Sequence, residues 1–116
     1  MPNENKTSLE NSRAQMRKGL LEYCILLVIS RKKVYASDII ASLRTADLLV
    51  VEGTMYPLLS RLKNDGLLDY HWQESKSGPP RKYYELTSHG KAMLKQLDGT
   101  WEMLQSSINA LRLARA

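Results

Sequence analysis

The hydrophobic period of this chain changes at one short stretch, Asn64-Asp65-Gly66, and that change limits what it can fold into. Before it, Met55, Leu58, Leu59 and Leu62 recur at i, i+3, i+4 and i+7, the stripe of an amphipathic helix. After it, Leu68, Tyr70 and Trp72 alternate with Asp69, His71 and Gln73. The turn-forming run Glu74 to Pro80 follows, and then Tyr84 and Leu86 alternate with Tyr83 and Glu85. That is an antiparallel hairpin, and a lone hairpin is marginal in water, so it must lean on helices. From Thr87 the helical spacing returns. The expected fold class is therefore mainly α (α+β).

The helices can be placed on the same grounds. Residues 1–8 read as a flexible N-terminus. A first helix is predicted from about Leu9 to Arg31, apolar nearly all round from Leu20 to Ile29, hence central and covered by others. The run Arg31-Lys32-Lys33 suits either the negative end of that helix or a solvated turn. A second, short helix fits Ser37 to Leu43, with Ser37 as its cap and Asp38 in its first turn. The apolar connector Leu48 to Val51 is expected to pack partly on the core. A third helix runs from Glu52 or Gly53 to Asn64, with Gly66 as its left-handed C-terminal residue. Pro57 fits if it lies near the first turn. A last helix, capped by Thr87 or Ser88, extends to about Leu113.

In that last helix Leu94, Leu97, Trp101, Leu104, Ile108 and Leu111 are spaced 3, 4, 3, 4 and 3 apart, a heptad seam. The helix would be about 40 Å long at 1.5 Å per residue, more than a small domain covers. Part of the seam needs a partner, most simply the same helix of a second chain. Gly99 costs the helix about 1 kcal/mol relative to Ala, and a tryptophan two residues on is bulky for a two-helix seam. Trp101 is thus either seam core or the wall of a space near a dimer axis that admits a planar ligand.

Composition excludes several classes. At 116 residues one domain is expected. The ten-residue apolar stretch containing Glu22 is too short for a membrane span, and the polar N-terminus lacks the apolar segment of a secretion signal, so a cytoplasmic location is expected. Cys24, the one cysteine, allows no internal disulfide and reads as a buried, inert thiol. His71 and His89 stand far apart without further ligands, so no metal and no cofactor is expected. No nucleophile, base and orienter form a recognisable set, and no phosphate loop is present, which argues against an enzyme. The net charge of +5 fits an anionic partner, yet no segment is a basic tail. Anion binding must come from placement within the fold.

Three helices, a hairpin and a long helix, in this order, describe a winged helix-turn-helix with a two-stranded β-wing and a C-terminal dimerisation helix. Residues 9–87 would form the DNA-binding domain and 88–116 the dimerisation helix. In such a module the third helix enters the major groove of double-stranded DNA, and wing cations meet phosphates. Thr54, Tyr56, Pro57, Ser60, Arg61 and Lys63 occupy the face of the third helix away from its apolar stripe. Lys76, Arg81 and Lys82 surround the wing tip, which Gly78-Pro79-Pro80 stiffen. Arg61 could instead pair with Asp65, Tyr56 and Trp72 could serve in packing, and Tyr83 could reach a phosphate or stay on the surface.

The stretch GTMYPLLSRLKNDGLL, followed by a hairpin and by RKYYELT, closely resembles the PadR family of bacterial transcription regulators. MRKGLLEYCILLVI and YASDII resemble that family's first two helices, so the likeness spans about residues 13 to 113. The chain looks like the short, LmrR-like subgroup of multidrug-binding repressors. The resemblance implies a homodimeric repressor of a palindromic operator, released by a small planar or hydrophobic effector. It places Thr54, Tyr56 and Arg61 on the recognition helix and Arg81 and Lys82 on the wing. It places Trp101 beside a ligand pore, with Leu97 and Gln105 one turn to either side, and Leu94, Leu97, Leu104, Ile108 and Leu111 on the dimer seam. Gln105 stands where the subgroup carries an acidic group, so a preference for cationic ligands is not implied. Val51 replaces the usual Ser or Asn cap of the third helix. The alternative function is a winged-helix module that binds proteins rather than DNA.

Overall fold

The structure, a computed structural model, describes residues 2–48 and 52–115; of residues 2–7 it describes the backbone alone. The elements run α1 (Pro2–Arg31), β1 (Val34–Tyr35), α2 (Ala36–Thr45), α3 (Glu52–Asn64), β2 (Leu68–Ser75), β3 (Gly78–Leu86) and α4 (Ser88–Ala114). This is a mainly helical winged helix-turn-helix. Helix α1 begins at Pro2, so the segment expected to be loose is helical in its backbone. Residues 8–19 of α1 are exposed, whereas Leu21, Ile25, Leu26, Val28 and Ile29 are buried and form the centre of the core. Around them pack Ile39 and Leu43 of α2, Met55, Leu59 and Leu62 of α3, Tyr84 and Leu86 of β3, and Leu94 of α4.

The wing is part of a three-stranded antiparallel sheet, not an isolated pair, with strand order β1-β3-β2. β1 has two residues, too few to show an alternation, and it pairs Val34 with Tyr84 and Tyr35 with Tyr83. β2 pairs with β3 from Leu68 opposite Leu86 to Gln73 opposite Arg81, and then slips so that Ser75 lies opposite Gly78. Gly78, Pro79 and Pro80 therefore belong to β3, and the turn itself falls at Lys76-Ser77. The prolines occupy the slipped part of the ladder, where a strand tolerates a missing N–H.

The helix ends follow local chemistry. At the end of α3, Leu67 N–H donates to Leu62 O (3.0 Å) and Gly66 N–H to Lys63 O (2.9 Å), with Gly66 at φ 79°. That is a Schellman motif. The same motif ends α2: Leu48 N–H donates to Leu43 O (2.8 Å) and Asp47 N–H to Arg44 O (3.0 Å), but here the left-handed residue is Asp47, at φ 63°. Helix α2 is capped from Tyr35, whose N–H donates to Asp38 Oδ2 (3.0 Å); Ser37 lies inside the helix and is not its cap. Thr87 caps α4, its hydroxyl accepting from Gly90 N–H (2.9 Å) and donating to Gly66 O (2.7 Å). Pro57 is the sixth residue of α3, one residue deeper than a start at Gly53 would put it, and leaves the Gly53 carbonyl without its i+4 donor on an exposed face. Leu48 packs partly on the core. The expectations for Leu49 to Val51, including the cap at Val51, lie outside the described residues.

Candidate nucleic-acid interface

The core stripe of α3 turns its other residues outward: Thr54, Tyr56, Pro57, Ser60, Arg61 and Lys63 are all exposed. They do not act as one patch. Tyr56 and Ser60 border a groove of about 390 Å3 whose other walls are Tyr35, Ala36 and Ser37 at the start of α2 and Trp72, Arg81, Lys82 and Tyr84 of the wing. The fold thus joins Tyr56, Ser60, Arg81 and Lys82 around one groove. Thr54, Pro57, Arg61, Lys63 and Lys76 are not among its walls. Lys76 is exposed at the wing turn.

Arg61 pairs with Glu22 of α1, and not with Asp65, the structural alternative to DNA contact. The pair explains the lone carboxylate in an otherwise apolar stretch: Glu22 reaches the solvent edge between α1 and α3. Both side chains are more than a third exposed, so the pair contributes little, of the order of 0.5 kcal/mol.

The two wing cations diverge. Lys82 lies opposite Trp72 and is half-buried, its Nζ 3.9 Å from the Tyr70 ring centroid, 5.3 Å from Trp72 and 6.0 Å from Tyr84. Lys63 of α3 approaches Tyr70 as well, at 5.3 Å. Lys82 therefore rests among aromatic faces on the side of the wing that meets α3, within the wall of the same groove. Trp72, expected to pack, meets Tyr70 edge-to-face (6.4 Å, 86°) and the Lys82 ammonium, yet stays 64% exposed. Burial pushes the Tyr84 hydroxyl above its usual range, with Tyr56 and Tyr70 adding to the effect.

Arg81 points the other way. Its guanidinium lies 3.7 Å from the Tyr35 ring centroid, and Nη2 donates to Ser37 Oγ at 3.3 Å. Tyr35 is fixed in turn: its hydroxyl donates to Gln73 Oε1 (2.5 Å) and its ring meets Tyr83 edge-on (6.2 Å, 88°). Tyr83 lies with His71 and Lys33 on the outer face, where His71 Nε2 and Lys33 Nζ meet Glu85 at 2.7 and 3.9 Å. Sequence reasoning did not single out Tyr35, and Ser37 was noted only as a cap. Their place depends on β1 pairing with a strand some fifty residues away, a contact that leaves no local signal.

On α4 the expected seam divides. Leu94 is buried in the chain's own core and Leu97 packs against it, so these two are already covered within one chain. Leu104, Ile108 and Leu111 are 45, 48 and 72% exposed. Trp101 closes a recess of about 220 Å3 with Leu20, Tyr23, Cys24 and Leu27 of α1. Leu97 and Gln105, assigned with Trp101, are not in its walls. Gln105 is exposed and Leu97 turns inward. Beside the recess Tyr23 donates its hydroxyl to Asp98 Oδ1 at 2.5 Å. Cys24 is half-buried, and burial pushes its thiol up, away from the reactive thiolate. Among the described residues no group of three or more His, Cys, Asp or Glu could hold a metal ion, and no helix is long and apolar enough to cross a membrane.

A reading helix set beside a cationic, antiparallel wing defines a winged-helix DNA-binding module. Comparison with known proteins carries this further. The model of the PadR-like family of transcriptional regulators matches residues 25–96. The chain belongs to that family, whose members regulate transcription through DNA and are not enzymes. A PadR-like transcription factor from Bacteroides fragilis is 55% identical, over 87% of this chain and 98% of its own, with a TM-score of 0.74. A PadR family regulator from Eggerthella lenta is 28% identical, over 93% and 95%, with a TM-score of 0.86. An uncharacterized protein from Lysinibacillus sphaericus is 29% identical over 100 residues, 84% of this chain and 92% of its own.

Proposed function

We propose that this protein is a cytoplasmic, homodimeric repressor that grips a palindromic operator and releases it when a small planar or hydrophobic effector binds beside α4. The observation that carries the reading is the outer half of α4. Leu104, Ile108 and Leu111 continue the spacing of Leu94 and Leu97 but remain exposed once the chain's own core is complete. Two such seams pair most simply about a twofold axis, which would present two reading helices to the two halves of a symmetric site. Tyr56, Ser60 and the outer face of α3 would meet bases and backbone, while Arg81 and Lys76 would meet phosphates. Trp101 and its recess support the effector half of the reading, because the walls are aromatic or apolar and Trp101 itself belongs to the seam spacing.

Sedimentation combined with a gel shift tests it. The protein is expected to sediment as a dimer and to retard the upstream region of its own gene, with retardation weakening steeply as salt rises. A monomer at high concentration refutes the dimer. A dimer without salt-dependent DNA binding favours the protein-binding alternative. For the effector, Trp101 fluorescence in a Trp72→Phe background is expected to be quenched by members of a panel of planar aromatic dyes.

A further inference from the structure

The Arg81 guanidinium is an unusual piece of the wing surface. Its central carbon lies over the Tyr35 ring, 3.7 Å from the centroid, and one of its five N–H donors is committed to Ser37 Oγ at 3.3 Å. Among the described residues it is in no ion pair, and the residue is exposed, so donors remain for a partner from outside the chain. Beneath it Tyr35 cannot swing freely, since its hydroxyl is tied to Gln73 and its ring edge to Tyr83. The nearest acid on α2, Asp38, is engaged by the Tyr35 N–H in the helix cap. The stack thus connects β2, β3 and the first turn of α2 through one cation.

We propose that Tyr35 and Ser37 are positioning residues that hold Arg81 as a preformed fork for one backbone phosphate of duplex DNA, so that the wing and α2 grip the same strand. This rests on the DNA-binding reading and adds to it which cation makes the phosphate contact and what aims it. A stacked guanidinium has already lost most of its rotamer freedom, so little more is lost on binding, and its planar edge matches two phosphate oxygens. A free lysine would offer the charge without the aim. Lys82, one residue on, is turned into the Tyr70, Trp72 and Tyr84 rings and is the internal contrast.

Titration of a labelled random-sequence duplex at several salt concentrations tests this, because a phosphate contact is independent of sequence. Arg81→Ala is expected to weaken binding by about tenfold and to flatten the log–log salt slope by about one for each subunit engaged on the duplex, while Lys82→Gln leaves the slope within about half that change. Tyr35→Ala keeps every charge, so it is expected to weaken binding by about three- to tenfold with the slope unchanged and to have no further effect in the Arg81→Ala background. Tyr35→Phe keeps the ring and its edge contact with Tyr83 and loses only the Gln73 tie, so it is expected to weaken binding less than Tyr35→Ala does. Ser37→Ala, an exposed change with little burden on folding, is expected to repeat the Tyr35→Ala pattern more weakly and covers the case in which Tyr35→Ala does not fold. Equal losses from Tyr35→Ala with and without Arg81 would overturn the positioning role, as would an Arg81→Ala protein that binds like the parent. If the parent itself shows no salt-dependent binding, the DNA reading fails first and takes this inference with it.

Discussion

Asp47 carries the sharpest local conflict between residue and conformation. It holds the left-handed position that ends α2, at φ 63°, where Gly66 does the same work for α3 at φ 79°. A residue with a Cβ loses about 1 kcal/mol there, although aspartate tolerates the region better than most. Glycine removes that strain but adds freedom to the unfolded chain, so the two effects partly cancel. Asp47→Gly is expected to stabilise the fold by about 0.5 kcal/mol and to raise the thermal midpoint by about 2–4 °C, as read by calorimetry. Gly90 shows the reverse constraint. A Cβ there would lie 2.1 Å from the Leu67 carbonyl oxygen, which already accepts from Thr87 N–H at 3.1 Å. Backbone meets backbone, so neither neighbour can rotate away. Gly90→Ala is expected to cost about 2–3 kcal/mol in urea denaturation, because α4 must back off the start of β2.

Elements show where the amino-acid order was informative. The stripe Met55, Leu58, Leu59, Leu62 and the alternation ending in Tyr84 and Leu86 both meet the core as read, because each is a repeated local pattern that burial rewards. Gly66 was readable because glycine declares a left-handed residue; Asp47 was not, since aspartate has many uses. β1 was missed for want of length. The Gly-Pro-Pro segment was taken for the tip because prolines usually leave strands, whereas the slipped register accommodates them in β3. Arg61 and Lys82 show the limit for the site: the sequence marked both as DNA-contact candidates, but it could not show their intramolecular partners, Glu22 and the Tyr70 ring, which come from other elements. The same holds for the tie between α1 and α4. The Asp98 carboxylate accepts from the Tyr23 hydroxyl, and this bond, with burial and the negative charge adding, pushes the phenol up to about 12. Its folded pKa lies above the ordinary value near 10, so the stabilisation is complete below pH 10 and is lost as pH rises through about 12. Alkaline titration followed by phenolate absorbance is expected to show one tyrosine fewer ionising late in Asp98→Asn than in the parent. An unchanged titration would mean that the bond does not persist in solution.

For the whole molecule the decisive question is what α4 does beyond its own domain. At 1.5 Å per residue, the stretch from Trp101 to Ala114 adds about 20 Å of helix past Leu94, buried, and Leu97, partly buried against the core. Leu104, Ile108 and Leu111 give it an apolar side, and Met103 and Leu113 are 72 and 77% exposed beside them. A monomer would leave that surface in water, at a cost of about 25 cal/mol for each Å2 that a partner could cover. The upstream half of α1, exposed from residue 8 to residue 19, lies on the helix that α4 crosses, so it is available to the same second chain. If α4 pairs as proposed, replacing both Leu104 and Ile108 by Lys places two like charges from each chain against each other at the proposed twofold seam, where apolar contact is lost as well. Neither residue belongs to the core of one chain, so the far-ultraviolet spectrum and the urea midpoint extrapolated to low concentration are expected to stay near the parent's. Sedimentation is expected to give a monomer, and binding to a symmetric operator to fall by about a hundredfold or more, because a single reading head forgoes the linked second half-site. Binding to a random-sequence duplex depends on the phosphate contacts of each head and is expected to fall far less. A double variant that remains dimeric would place the interface elsewhere on the chain, with the first half of α1 as the next surface to alter.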